Sequence, residues 1–295
     1  MATIEINSTR ISYEISGPDG GVPIVLTPGG RFGMDVPGLR VLAERLTANG
    51  MRVLLWDRPN CGASDVLFCG PSESHMRAEI LAALLRELDM APAVVAGGSG
   101  GARDSIITAM RHPDVARSLV VWHVVGGVYS QMRLASVYIL PTLEALALKG
   151  IDGVLELPHW RDRIAVNPRN RDRLLAIGAD GLRAIMLRWL HAYVPKPGQT
   201  IPGVLDDDLE GIAVPTVIIR GGRDDLDHPR RTSFELHLLI HGSRLAEPPW
   251  PEDGWERGLE ASARGDGHFF DLWADAAEVI LEAAANPTSV GPGVT

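Results

Sequence analysis

One serine stands among four glycines in Gly97-Gly98-Ser99-Gly100-Gly101, between an apolar run, "AVVA", and a helical pattern, "ARDSIITAMRH". Glycines two residues before and two residues after a serine allow a tight turn between a strand and a helix, so that the serine projects into a cleft. This context predicts that Ser99 is a nucleophile. The alternative, a glycine-rich surface turn, is disfavoured because a strand pattern ends and a helix pattern begins on its two sides.

A serine hydroxyl is a weak nucleophile until a histidine takes its proton, and that histidine needs a carboxylate to fix its tautomer. The chain has nine histidines from which the base could come. The sequence has no His/Asp/Glu cluster with metal-ligand spacing, and its glycine-rich loops lack the Lys-Ser/Thr pair of a phosphate-binding loop. We therefore expect nucleophilic catalysis without a metal or a cofactor.

The elements that must position these residues follow from the alternation of apolar runs and helical patterns. Runs rich in Val, Ile and Leu predict strands at 4–7, 10–16, 23–27, 51–57, 93–98, 118–125 and 215–220, with a weaker one at 243–247. Helices are predicted at 36–49, 73–89, 101–111, 230–240 and 272–285. This order indicates an α/β fold with a mostly parallel, eight-stranded sheet covered by helices on both faces.

The alternation breaks between about 128 and 212, where the sequence predicts several helices and no strand. Such an insertion is most economically a cap over the carboxyl edge of the sheet, where open α/β sheets bind ligands. The predicted organisation is a core formed by 1–127 and 213–295, with a helical cap at 128–212. The tail from about 286, which reads "NPTSVGPGVT", is expected to be flexible.

Three motifs in this order resemble the α/β-hydrolase family. They are "VLTPGGRFG" at 25–33, "DRPNCGASD" at 57–65 and the glycine-flanked Ser99. The resemblance extends over roughly residues 10 to 285 outside the cap. It implies the α/β-hydrolase fold, with a nucleophile, an acid and a histidine that follow one another in that order.

The resemblance also suggests where the acid and the base lie. The family spacing Gly-x-x-Asp, counted from Gly222, leads to Asp225, with Asp224 as the alternative. His268, in "RGDGHFFDLW", resembles the histidine loop of the family and is the predicted base. The other histidines weighed against it, in helical patterns, at a helix end, in the cap or near the preceding strand, are His75, His112, His123, His159, His191, His237 and His241.

An oxyanion hole needs two N–H groups aimed at the developing negative charge. The resemblance assigns them to Gly100 and to Gly30, with Arg31 as an alternative to Gly30 because Pro28-Gly29 stands where many relatives have His-Gly. The Arg31 side chain could instead meet a substrate carboxylate or be structural. Asp57 and Arg58 are interpreted as a structural turn held by an internal ion pair.

Composition limits the partners. The chain has 295 residues, 45% hydrophobic and 22% charged, a net charge of −9 and a pI near 5.5, which argues against nucleic acid and anionic membranes. Two cysteines and no recognisable leader favour free thiols and a cytoplasmic protein. A small-molecule substrate is expected, and the sequence leaves a homodimer open.

The leading functional hypothesis is a serine hydrolase of a carboxylic ester or lactone, acting through an acyl-enzyme. A carbon-carbon bond hydrolase of a ring-cleavage diketone and a non-catalytic binding protein are the alternatives. Apolar cap residues could form an aromatic or medium-chain pocket, although each taken singly is more typical of a cap core. The residues predicted to bind substrate are Arg31, Tyr129, Met132, Trp160 and Trp189.

Overall fold

The computed structural model describes residues 1–286, and its centre is a mostly parallel sheet of eight strands. The strands are β1 Ala2–Ile6, β2 Thr9–Ser16, β3 Pro23–Thr27, β4 Arg52–Trp56, β5 Ala93–Gly98, β6 Ala116–Trp122, β7 Thr216–Ile219 and β8 Arg244–Ala246. The predicted eight-stranded α/β fold is therefore confirmed, with small shifts at the strand ends. The predicted flexible tail falls on residues 287–295, outside the described residues.

The order of the strands creates a point of reversal in the sheet. It runs β1-β2-β4-β3-β5-β6-β7-β8, and β2 is antiparallel to its two neighbours, β1 and β4. Strands β3 and β5 are adjacent although β4 lies between them in sequence, so the chain leaves this pair toward opposite edges. Ligands of open α/β sheets bind at the carboxyl ends of strands at such a reversal. The segments after β3 and β5 contain Gly30 and Ser99.

Helices cover both faces of the sheet. On one face lie α1 Pro37–Ala48 and α11 Ala277–Ala285, and on the other lie α2 Glu73–Glu87, α3 Gly100–Arg111 and α9 Arg230–Leu239. Helix α2 begins where Ser72 Oγ accepts a hydrogen bond from the backbone N–H of His75, 3.2 Å away. Its apolar stripe, which includes Ile80 and Leu84, is fully buried against the sheet.

Every regular element in the described segment between β6 and β7 is helical. These helices are α4 Gly127–Tyr138, α5 Leu140–Glu156, α6 Pro158–Val166, α7 Arg169–Leu190, a short 3-10 helix His191–Tyr193 and α8 Asp206–Glu210. We call α4 to α7 the cap helices. They enclose an apolar cluster of their own, and Phe68 from the segment before α2 packs between Trp160 and Trp189 of that cluster.

By length and composition alone, the segment Gly127–Val166 could cross a membrane. It is not one straight helix, because it is divided into α4, α5 and α6 and because Gly150 inside α5 has non-helical backbone angles. One such segment is only a weak indication of a membrane span.

Helix α10, Gly254–Arg264, is present although the sequence did not predict it. Trp255 and Leu259 lie at helical spacing in it, but Gly254 and Gly258 disfavour a helix. Gly265 ends it in the left-handed conformation that commonly terminates helices. This helix lies between β8 and the segment that carries His268. Trp255, at its start, is buried against the core.

Candidate active site

Ser99 lies in the tight turn between β5 and α3, as its glycine neighbours predict. Its φ of 55° and ψ of −121° are unusual for a residue with a side chain and indicate backbone strain held by the surrounding fold. A Cβ on Gly97 would lie 2.5 Å from the carbonyl oxygen of Gly101, and one on Gly101 would lie 2.2 Å from that of Thr27. The flanking glycines are therefore required by close backbone packing around the turn.

The histidine that contacts Ser99 is His228. Its Nε2 lies 2.9 Å from Ser99 Oγ, and its Nδ1 lies 2.8 Å from Asp225 Oδ2. Because a carboxylate only accepts hydrogen bonds, Nδ1 carries the proton and Nε2 is free to accept from the serine hydroxyl. All three side chains thus form one hydrogen-bonded chain at the carboxyl edge of the sheet.

Asp225 is held in its ionised form by its surroundings. Oδ1 accepts hydrogen bonds from the backbone N–H groups of Asp227 and His228, at 2.9 Å and 3.0 Å. Burial by itself would raise the pKa of Asp225, but attraction to a protonated His228 ring and the hydrogen bonds from His228 outweigh burial and lower that pKa to about 2. The carboxylate is therefore negative near neutral pH and can stabilise a protonated His228.

The prediction that His268 contacts Ser99 is wrong. The ring of His268 stacks on Phe269 with centroids 4.3 Å apart, and its Nδ1 accepts a hydrogen bond from the backbone N–H of Phe270. It lines a separate cavity of about 360 Å³ together with Phe32, which also contacts its ring edge to face. His228 lies next to Asp225, in the position that the resemblance to a family assigned to His268.

Helix α10 lies between the two histidine segments. Trp255 packs edge to face on His228, with centroids 4.5 Å apart, and also contacts Phe269 next to His268. The indole therefore stands between the two histidine segments. Two signals in the sequence could have identified His228: it follows Asp225 by three residues in "DDLDHP", and it precedes the proline at the start of α9.

Gly30 and Gly100 come together beside Ser99, as expected. A Cβ on Gly100 would lie 3.2 Å from the backbone nitrogen of Gly30, and one on Gly29 would lie 3.0 Å from Ser99 Cβ. Gly30 has a φ of +53°, which favours glycine. We call residues 28–33 the glycine loop. Its approach to the start of α3 brings backbone N–H groups of two segments to one side of Ser99.

Ser99 opens into a cavity of about 220 Å³ that is bordered by α4, the first of the cap helices. Most of its lining is apolar or aromatic, and the charged groups besides His228 are Arg133 and Asp227, whose Nη1 and Oδ1 lie 2.6 Å apart. Helix α4 is also tied to this segment by Ser130, whose Oγ donates to the carbonyl oxygen of Asp227 at 2.7 Å. The remaining lining residues are Gly30, Phe32, Val125, Leu134, Tyr138, Trp255, Leu259, Phe269 and Phe270.

The five residues predicted to bind substrate lie elsewhere, so that prediction is corrected. Arg31 donates to the Tyr138 carbonyl oxygen and pairs with buried Glu73, 3.4 Å away. Two of the others point outward from α4 and two are buried in the apolar cluster of the cap, because aromatic side chains of a small helical layer are needed to fill its interior. They are the exposed Tyr129 and Met132 and the buried Trp160 and Trp189.

His123, at the end of β6, lies directly beneath the site. Its Nδ1 accepts a hydrogen bond from Trp273 Nε1 at 2.9 Å, and its ring centroid is 5.0 Å from that of His228. Burial, and next the charge of His228, lower the pKa of His123 to about 3. It is therefore neutral, and it packs against the catalytic candidates rather than replacing one of them.

The described residues have the α/β-hydrolase fold. The enol-lactonase of Burkholderia xenovorans matches with a TM-score of 0.55 and 21% identity, over 90% of this chain and 97% of that one. An N-acyl homoserine lactone degrading enzyme matches with a TM-score of 0.58 and 20% identity, over 95% and 99%. At this level of identity the likeness concerns the fold.

A curated relative matches part of the sequence. It is a 2-hydroxy-6-oxononadienedioate/2-hydroxy-6-oxononatrienedioate hydrolase of Burkholderia vietnamiensis, 27% identical over 146 residues that cover 46% of this chain. The match spans about half the length of that relative, 51%. No protein-family model matches the chain.

Proposed function

We propose that this protein is a serine hydrolase that cleaves a small, uncharged carboxylic ester or lactone. The observation that carries the proposal is the hydrogen-bonded chain Ser99–His228–Asp225, with distances of 2.9 Å and 2.8 Å, at the carboxyl edge of the sheet. This arrangement of hydroxyl, imidazole and carboxylate activates a serine for nucleophilic catalysis.

The reaction begins when Ser99 Oγ attacks the carbonyl carbon while its proton passes to His228 Nε2. Asp225, already ionised and bonded to Nδ1, stabilises the imidazolium that forms. His228 then gives the proton to the departing alkoxide, which leaves an ester of Ser99. A water molecule, deprotonated by the same nitrogen, hydrolyses that ester and restores the serine.

We assign the stabilisation of the negative charge on the carbonyl oxygen to two donors, the backbone N–H of Gly100 and one N–H of the glycine loop. Helix α3 begins at Gly100, so the N–H of Gly100 has no acceptor within the helix, at the helix end that favours negative charge. Gly30 supports the second donor, since its nitrogen lies close to Gly100. Donors fixed in this way stabilise the tetrahedral intermediate without reorganisation.

The cavity supports a small, neutral substrate. Its volume of about 220 Å³ is below the usual range for small-molecule sites, roughly 300 to 1,000 Å³. The one guanidinium in its described lining, that of Arg133, is paired with Asp227, so a substrate carboxylate would have to displace Asp227. An aryl or short acyl ester and a small lactone fit these properties.

A second candidate is hydrolysis of a carbon-carbon bond in a ring-cleavage diketone, which the curated match to a hydrolase supports. The name of that relative describes a dicarboxylate substrate. The neutralised Arg133 gives no free positive charge for a second carboxylate, and this favours the ester or lactone.

The proposal is tested with 4-nitrophenyl esters of increasing acyl length, a small lactone and a ring-cleavage diketone on one preparation. We expect the highest kcat/KM for the short esters or the lactone, and stoichiometric labelling of Ser99 by a fluorophosphonate. Ser99→Ala should lower kcat by about 10⁴-fold or more.

Ser105→Ala is the matched control, because Ser105 is buried in α3, six residues after Ser99, and makes no contact with His228 that the structure records. This variant should keep nearly full activity. A wild-type protein that is not labelled and hydrolyses none of the substrates would contradict the proposal. A diketone preferred by about 100-fold, or about 2.7 kcal/mol, would select the second candidate.

A further inference from the structure

Arg58 is a fully buried charged residue that the proposed reaction does not use directly. Its Nη2 donates to the carbonyl oxygens of Gly29 and Gly30, at 2.9 Å and 2.8 Å, and lies 3.4 Å from that of Phe32. All three acceptors belong to the glycine loop. The expected ion pair with the adjacent Asp57 does not form, because the Asp57 carboxylate accepts backbone N–H groups of Met34 and Ala63 instead.

The other end of the guanidinium is fixed to α3, the helix that follows Ser99, which we call the nucleophile helix. Nη1 of Arg58 lies 2.9 Å from Oδ2 of Asp104, which is also fully buried and stands in α3, five residues after Ser99. A Cβ on Gly100 would lie 3.7 Å from Nη1. One side chain therefore connects the two segments that carry the proposed oxyanion donors.

The geometry of the peptide bond makes these contacts relevant to catalysis. In a trans peptide the C=O of one residue and the N–H of the next lie in one plane and point in opposite directions. The carbonyl of Gly29 thus sets the direction of the Gly30 N–H, and the carbonyl of Gly30 sets that of the Arg31 N–H. By holding both carbonyls, Arg58 orients both N–H groups that could complete the oxyanion hole.

We infer that Arg58 is a positioning residue that orients the oxyanion hole by holding the carbonyl groups of the glycine loop against the nucleophile helix through Asp104. This inference rests on the proposed serine hydrolase function. If Arg58 positions the oxyanion hole, and does not merely stabilise the fold, its substitution should weaken transition-state binding more than substrate binding.

Arg77 offers a matched control. It is buried like Arg58 and lies close to the same carboxylate, with 3.9 Å between its Nη1 and Asp104 Oδ2. Its hydrogen bonds, however, go to Glu73, to the Pro59 carbonyl oxygen and to Cys61 Sγ, and none that the structure records goes to the glycine loop. Arg58→Lys and Arg77→Lys both preserve a buried positive charge, but each replaces the planar guanidinium, with its donors in fixed directions, by a single ammonium group.

The experiment measures kcat, KM and inhibition by an aryl boronic acid, whose tetrahedral adduct with Ser99 places an oxygen in the oxyanion hole. For Arg58→Lys we expect kcat to fall about 100-fold, the inhibition constant to rise about as much, and KM to stay within about threefold. Arg77→Lys should keep kcat and boronate inhibition near the wild-type values. Thermal unfolding of both variants monitors their stability.

Arg58→Lys with wild-type kcat and boronate affinity would overturn the inference, as would equal losses in both variants. If Arg58→Lys does not fold, Asp104→Asn decides the question: about a tenfold loss of kcat at unchanged KM supports the inference, and no loss overturns it. A wild-type protein that no fluorophosphonate labels removes the proposed function and this inference together. A labelled wild type with an insensitive Arg58→Lys removes the inference alone.

Discussion

The segment after β7 and the segment after α10 each carry an aspartate and a histidine separated by three residues, yet only one of them reaches Ser99. In the first, Asp225 precedes His228, and the carboxylate bonds the backbone N–H and the ring of that histidine. In the second, His268 precedes Asp271, and the carboxylate bonds only the backbone N–H of the histidine, at 2.7 Å.

In these two segments, the order of aspartate and histidine goes with a different ring nitrogen being left free to act as a base. Because Asp225 holds Nδ1 of His228, Nε2 is left facing Ser99. Nδ1 of His268 instead accepts the backbone N–H of Phe270, and its ring stacks between aromatic neighbours. The first segment forms an oriented base, whereas the second forms a packed loop end.

Substituting His228 and His268 in turn should give the greatest difference in activity between the two segments. His228→Ala should lower kcat by about 10⁴-fold or more, because it removes the proton acceptor of Ser99. His268→Ala should keep kcat within about threefold, a change of less than 1 kcal/mol. Steady-state kinetics on the best ester substrate measure both. The reverse result would return the base to His268 and require the segment to move toward Ser99.

A smaller effect is expected from the two carboxylates. Asp225→Asn should lower kcat by about 10³-fold or more, because an amide can present its N–H to His228 and leave the wrong tautomer toward Ser99. Asp271→Asn, the matched change in the other segment, should leave kcat nearly unchanged, and so should Asp224→Asn at the exposed neighbouring position. Comparable losses in Asp225→Asn and Asp271→Asn would contradict the comparison.

The smallest effect concerns stability in acid. The pKa of Asp225 is about 2 in the folded protein and 3.8 as its ordinary value, so its contribution to the free energy of unfolding is present above pH 4 to 5 and is lost as the pH falls toward 2. The loss amounts to about 2 kcal/mol. Urea unfolding between pH 5 and pH 2.5 should depend less on pH in Asp225→Asn than in Ser99→Ala, which keeps the Asp225–His228 pair. Equal slopes would show that this pair does not carry the acid sensitivity.

Much of the fold could be predicted because its signals are local. The strand before Ser99 and the helix after it, the glycines of the turn and the cap of α2 at Ser72 are set by spacing along a few residues. The carboxylate was also predicted, because the spacing Gly-x-x-Asp of the family that the chain resembles leads from Gly222 to Asp225, in the loop after β7. Helix α10 was not predicted, because Gly254 and Gly258 disfavour a helix although Trp255 and Leu259 lie at helical spacing.

The nucleophile turn and the eight strands could be predicted from the residues alone, because they depend on backbone conformations that neighbouring residues dictate. Asp225 and the glycine loop were predicted from the resemblance to a family. The histidine that meets Ser99 became known from the packing of the whole chain, since that contact joins residues 129 positions apart. That packing also decided that Arg58 pairs with Asp104, 46 positions away, instead of its neighbour Asp57. Long-range contacts of this kind depend on how whole elements pack, so a local pattern such as the spacing of Asp225 and His228 indicates a candidate but does not establish the contact.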